Sequence, residues 1–302
     1  MKKPYREMTL PQFMRRFRTE SACREYLFKL KWPHGFICPS CGHDHYYELP
    51  KRRLYQCKAC GHQSSVTADT VMHKTRTPLR KWFCALYLLA NDKRGLSALQ
   101  LSKKLEVSYY VAWTMLHKIR RAMKDRDDGY QLQGVIEMDD AFFGGGHGGD
   151  KRGRGTSKTP VVIEASTDKD AVRFARMNVV EHVDAETIGR IVEADVKNGQ
   201  TIRTDGWWAY GVVEKKGHRH QRWPNLTPKE SKIFLKWVHM MASNSKAFLL
   251  GTFHGIGKKH LQSYLDEYSY RFNRRQWEGQ IFDRLVTACA NSKGITFSEL
   301  TQ

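Results

Sequence analysis

Two cysteine pairs constrain this chain more than any other feature. Cys38-Pro-Ser-Cys41-Gly and Cys57-Lys-Ala-Cys60-Gly each place two thiols across a two-residue gap, followed by a glycine that permits a tight turn. That gap aims both thiolates of a knuckle at one ion, and the fifteen residues between the pairs leave room for a small hairpin. Four thiolates ~2.3 Å from a tetrahedral zinc ion make a closed structural site. The spacing therefore predicts a zinc ribbon over 35–70, with one zinc per chain on Cys38, Cys41, Cys57 and Cys60. Seven cysteines is an odd number, which argues against a disulfide framework, and Cys23, Cys84 and Cys289 lie in apolar helical patterns expected to be core. His34, His43, His45 and His62 flank a shell that is already complete and read as surface residues or phosphate contacts.

The charge balance narrows the partner. Lys and Arg number 51 and Asp and Glu 31, so the chain carries 51 − 31 = +20 over 302 residues. An excess of that size calls for a polyanion, with nucleic acid first and an anionic membrane surface second. A hydrophobic fraction of 40% supports a real core and excludes wholesale disorder. No run approaches the ~18–20 apolar residues of a membrane span. The N-terminal MKKPYREMTL lacks the apolar stretch of a signal peptide, so a cytoplasmic protein with no membrane partner is expected. Lys51, Arg52, Arg53 and Lys58 fall on the ribbon itself, which points that module at DNA.

Between the ribbon and the middle of the chain the apolar period is helical. Leu79, Trp82, Phe83, Leu86 and Leu89 recur at three and four. Two short helices follow, one after Ser97 and one after Ser108, each serine a plausible N-cap. The pair reads as a helix-turn-helix within 71–124, a DNA-binding arrangement. Tyr109, Tyr110, Thr114, Lys118, Arg120 and Arg121 are its expected DNA contacts, and Val111, Met115, Leu116 and Ile119 its core face. The polar run 125–134 reads as a linker, and residues 1–34 as an N-terminal helical segment.

From residue 135 the pattern becomes α/β. A buried strand ends in carboxylates at Asp139-Asp140, two strand-like runs follow at 161–167 and 172–180, then a helix at about 184–197 and a strand ending at Asp205. That order is the order of an RNase H-like fold, in which the first and fourth strands are neighbours, so Asp139 and Asp205 meet despite a separation of 205 − 139 = 66 residues. Paired carboxylates suit hard divalent cations, and two such ions ~3.5–4 Å apart serve phosphodiester chemistry. Glu137 and Asp140 compete with Asp139; alternation puts Glu137 on the face of Asp139 and Asp140 on the other. A glycine-rich basic loop, 144–155, lacks the Lys-Ser/Thr of a nucleotide loop and reads as a segment that closes on DNA. Trp207-Trp208 serve either as base-stacking surfaces or as core.

These blocks together resemble a known family. Trp32-Pro before the first knuckle, Leu79-Arg-Lys-Trp82-Phe, the run from Val107 to Arg120, Met138-Asp139-Asp140-Ala-Phe-Phe-Gly144-Gly, Thr204-Asp205-Gly-Trp, Leu250-Gly-Thr-Phe-His254-Gly and the run from Lys259 to Arg275 are similar to bacterial insertion-sequence transposases of the zinc-ribbon-bearing, DDE-type, ISXO-like class. The resemblance implies a multidomain α+β chain: zinc ribbon, helix-turn-helix helical domain, and an RNase H-like catalytic domain over 135–280 with a C-terminal tail at 281–302. It implies a DNA transposase working at the ends of an insertion sequence by strand cleavage and strand transfer. Its partners are double-stranded DNA, both element ends and target, and further copies of the chain as a homo-oligomer on DNA. It implies two magnesium or manganese ions per site and a nucleoid location. The third catalytic position departs from the DDE pattern, because 237–246 holds no carboxylate. Branches of the family use asparagine or histidine there; Asn244 fits the Ser-Asn-x-Lys block and is favoured, and His239 stays open. Lys246 is then a phosphate contact near the scissile bond. Glu267, Arg271 and Arg274 serve either as salt bridges or as DNA contacts. The rival readings are a catalytically impaired DNA-binding derivative and a metal-dependent nuclease that never joins strands.

Overall fold

The computed structural model describes residues 8–144, 156–168, 171–224 and 227–301. They divide into two compact units, Met1–Asp125 with Trp277–Gln302, and Arg126–Gln276. Most of the glycine-rich loop expected to close on DNA, 145–155, lies outside the described residues. Among those described, no helix is long and apolar enough to cross a membrane.

The first unit opens with α1 (Leu10–Arg16) and α2 (Glu20–Lys31), capped by the side chains of Thr9 and Thr19. A three-stranded antiparallel ribbon follows: β1 (Tyr46–Leu49), β2 (Leu54–Cys57) and β3 (Gln63–Ser64). α2 belongs with it, since Phe28 and Trp32 pack their rings on Tyr55 at 5.0 and 5.6 Å. Three helices come next, α3 (Leu79–Asn91), α4 (Ala98–Leu105) and α5 (Tyr109–Asp127). Pro78 gives α3 no side-chain cap, and the Glu20 carboxylate supplies one by accepting from the Leu79 and Arg80 N–H groups at 3.0 and 2.9 Å. Ser97 caps α4 in a box with Gln100, Glu106 turns the chain in a left-handed conformation, and Ser108 caps α5 through Val111 N–H.

The second unit is one five-stranded sheet with helices on both faces. Its strands are β4 (Val135–Phe143), β5 (Thr159–Asp168) and β6 (Ala171–Val179), then, after α6 (Ala185–Asp195), β7 (Thr201–Asp205) and, after α7 (Val212–Lys215), β8 (Arg219–Trp223). The spatial order is β6-β5-β4-β7-β8; β4, β5 and β6 pair antiparallel, while β7 runs parallel to β4 and β8 to β7. Numbered within the unit this is 3-2-1-4-5, the RNase H-like arrangement, with the first and fourth strands adjacent. On one face Ile136, Met138, Val162 and Ile202 pack on Ile188 and Val192 of α6. On the other, Phe143, Val161 and Ile163 pack on α9 (Lys236–Phe253) and α10 (Lys258–Asn273), which follow the short α8 (Pro228–Phe234).

Two sequence boundaries shift. The run 125–134, expected as a linker, begins inside α5, and Asp127 is buried because its carboxylate accepts from Arg274 at 2.6 Å and Asn273 at 3.0 Å. A polar sequence hides such burial because its partners arrive from α10, almost 150 residues later. The expected tail, 281–302, instead forms α11 (Ile281–Asn291) and α12 (Phe297–Thr301). Ile281, Phe282, Leu285, Val286 and Cys289 make α11 amphipathic, and Phe282 sits against Phe13, Phe17 and Phe83 in the first unit.

Candidate active site and cysteine centre

In the ribbon the two knuckles are built alike. Cys38 N–H donates to the His43 carbonyl and Gly42 N–H to the Cys38 carbonyl; Cys57 and Gly61 repeat both bonds with the His62 and Cys57 carbonyls. Gly42 and Gly61 adopt φ of 76° and 72°, the left-handed turn a side chain resists. The four sulfurs lie within 4.8 Å of one another, with Cys38–Cys60 at 3.7 Å and Cys41–Cys57 at 3.6 Å. A tetrahedron with ~2.3 Å metal–sulfur bonds has edges of about 3.8 Å. The donor set therefore fits zinc in type, number and spacing. Cys23 and Cys289 are buried and Cys84 partly so, as apolar packing requires.

The carboxylate site grows from the register of the sheet. Glu137 of β4 stands level with Arg203 of β7 in a parallel pairing. The paired register ends there; strand alternation two residues further along puts Asp139 and Asp205 on the same face of the two neighbouring strands. Asp205 closes β7, but β4 does not end at Asp139-Asp140 as expected: pairing with β5 carries it on to Phe143, so Asp139 is its central residue; both aspartates are partly exposed. Asp140 takes the opposite face, where Tyr210 donates to its carboxylate at 3.3 Å. Each aspartate is also tied locally, Asp139 accepting from Asp140 N–H and Asp205 from Trp207 N–H.

α9 lies along β4 on the aspartate face, running in the same direction. Three contacts in order establish this: Glu137 with Trp237 and Val238, Asp139 with His239, Phe143 with Lys246. His239 Nε2 is 3.9 Å from Asp139 Oδ2. Lys246 holds its ammonium 5.1 Å from the Phe143 ring centroid; burial, then the charge of Lys158, pushes its pKa down. Asn244, favoured from sequence, is exposed, and its side chain bonds to Tyr268. The reason is helical phase: five residues past His239 is about 500°, or some 140° around the helix, whereas Lys246 at seven returns within about 20°. Glu137, the competing acid, is only 3% exposed and spends its Oε2 on two backbone N–H groups, at 2.7 and 3.3 Å. Burial pushes its carboxyl up, against those two bonds. Glu230 folds back onto Thr227.

The remaining expected residues divide. On α5 Tyr109 and Tyr110 are exposed at 57% and 54%, and Arg121 is exposed beside Asp125. Thr114 and Lys118 are half-buried, Thr114 donating to the Tyr110 carbonyl. Arg120 departs from expectation: at 1% exposure it belongs to the core face with Leu116 and Ile119, so it is no surface contact for DNA. Trp207 packs in the α6 core, while Trp208 remains 59% exposed. Glu267 and Arg274 are buried ion-pair members, with Arg271 at 3.0 Å from Glu267, so this face of α10 is structural.

Residues 131–273 match the ISXO2-like transposase domain and residues 18–63 the transposase zinc-ribbon domain. An uncharacterized protein in transposable element ISH50 of Halobacterium salinarum is 25% identical over 278 residues, covering 84% of this chain and 91% of that protein. An uncharacterized transposase-like protein of Haemophilus influenzae is 29% identical over 104 residues, 34% of this chain and 84% of that protein. Among solved structures, the catalytic core domain of BIV integrase aligns at TM-score 0.31 and 9% identity, covering 47% of this chain and 84% of that one. A pre-cleavage Mos1 transpososome aligns at TM-score 0.30 and 13% identity, covering 71% and 79%. Overlap that slight carries no weight beside the strand order itself.

Proposed function

The chain carries an ISXO2-like transposase domain behind a transposase zinc ribbon, and from that premise we propose that it binds the ends of an insertion sequence and cuts and joins DNA strands at Asp139 and Asp205. The observation that carries this reading is that β4 and β7 are adjacent parallel strands with the two aspartates on one face, and His239 is 3.9 Å from the first. Two carboxylates and an imidazole are hard-to-borderline donors that suit magnesium or manganese. Divalent cations bound there would supply Lewis acidity and charge neutralisation to an in-line displacement at phosphorus. The protein's part is to fix the donors: Asp139 and Asp205 on a rigid sheet, His239 on the helix laid over it. Lys246, with Lys158 nearby, offers positive charge for a phosphate of the strand being cut. The ribbon, with its exposed basic residues, and α5, with Tyr109, Tyr110 and Arg121, would hold the element end. Work on two ends at once calls for more than one copy on DNA.

The test is a strand-transfer assay with the element's own terminal DNA in magnesium and in manganese. Cleaved and joined products from the wild type, lost in Asp139→Ala and Asp205→Ala, support the reading. Cleavage without joined product would make the chain a nuclease. A second reading rests on the missing third carboxylate: DNA bound by every variant, with no cut under either metal, would make it a DNA-binding derivative.

A further inference from the structure

The N-terminus of α9 has no local cap. Leu235 occupies the N-cap position with no side-chain acceptor, and the N–H groups of the first turn have no partner within the helix. That turn carries His239. An uncapped first turn is the part of a helix that frays most readily, and fraying there would carry the imidazole away from Asp139.

Glu137 closes this end from a hundred residues away. Its Oε2 accepts from Trp237 N–H at 2.7 Å and Val238 N–H at 3.3 Å, the second and third positions of the helix. The side chain is almost wholly buried, and the negative charge complements the helix dipole. Its place is fixed by the sheet: Glu137 and Asp139 share a face of β4, two residues and about 6.7 Å apart. One strand therefore presents both the acid of the site and the clamp for the helix bearing its imidazole.

We propose that Glu137 is a positioning residue: by capping α9 it sets the His239 imidazole against Asp139. The proposal rests on the active-site reading above. It requires the acceptor geometry of Glu137 and not its charge alone. Glu137→Gln keeps an oxygen at the same reach, whereas Glu137→Asp keeps the charge but falls one methylene short of the N–H groups. Groups that orient metal ligands typically change metal affinity or activity ~10–100-fold when removed.

The experiment measures strand joining with terminal DNA over a manganese titration, for the wild type, Asp139→Ala, Glu137→Gln, Glu137→Asp, His239→Ala and the Glu137→Asp/His239→Ala double variant. Thermal melting of each confirms folding. The expected result is a manganese midpoint within about threefold of wild type for Glu137→Gln and at least ~10-fold higher for Glu137→Asp. In the His239→Ala background Glu137→Asp should add almost nothing, since it acts through the imidazole. Glu137→Asp matching the wild type, or multiplying the His239→Ala loss in full, overturns the positioning role while Asp139→Ala inactivity leaves the active-site reading standing. Joining retained by Asp139→Ala overturns both.

Discussion

At the scale of single residues, the sequence singles out Asp139 and Asp205 as candidates but does not choose between Asn244 and His239. Asp205 ends a strand run while Asp139 falls within one that continues to Phe143, and strand alternation separates Asp139 from Asp140 without any tertiary information. Asn244 and His239 lie on one helix, and a motif block says nothing of which face that helix turns to the sheet. The seven-residue spacing of His239 and Lys246 does put those two on one stripe in the sequence itself. Arg120 misled for a related reason: a basic residue at the end of a basic run reads as surface, yet the buried stripe of Met115, Leu116 and Ile119 includes it. From this geometry His239→Ala should raise the manganese concentration needed for cleavage by about 10-fold or more, and Asn244→Ala by less than about threefold. A titration of cleavage rate against manganese decides it, and the reverse ranking would restore Asn244 as the ligand.

At the scale of elements, the sequence carries periodicity and local caps but not caps that come from afar. The serines before α4 and α5 stand where the N-cap rule puts them. The ends of α3 and α9 lack a capping neighbour and take Glu20 and Glu137 instead, from 59 and 100 residues away. The same blindness hid a carboxyl pair on the α6 face. Glu164 of β5 is fully buried, sharing Asn178 with Asp195 at the end of α6. Burial, and then the Asp195 charge, raises the Glu164 pKa well above 4.5. The folded protein thus holds a proton that the unfolded chain releases. Stability from this group is whole below about pH 4.5 and falls as pH rises toward the folded pKa, at ~1.4 kcal/mol per pH unit over that window. Glu164→Gln, which keeps the hydrogen bonds without the titration, should flatten the melting temperature between pH 5 and 8 and leave it at or above wild type at pH 8. A steeper decline with pH in the variant would show that Glu164 is ionised in the fold.

At the scale of the whole molecule, the division of labour follows charge and topology. A chain of +20 carries a four-cysteine ribbon in one unit and an RNase H-like sheet in the other, and the proposed function assigns holding DNA to the first and cutting it to the second. The boundary itself was illegible, because residues 277–302 return to the first unit on the strength of the apolar face of α11, a feature no linker composition announces. A ribbon of three short strands has too small a core to persist without its ion. Cys38→Ser, or a strong zinc chelator, should therefore abolish binding to terminal DNA while the melting of residues 126–276 is unchanged; retained binding would place the DNA contacts elsewhere. The central claim is that Asp139 and Asp205 jointly hold the catalytic cations. Electron paramagnetic resonance of manganese titrated into the complex with terminal DNA tests it most directly. The account predicts up to two tightly bound manganese ions per site in the wild type, lost in Asp139→Ala and in Asp205→Ala and retained in Asn244→Ala. Undiminished manganese binding in both aspartate variants would contradict it.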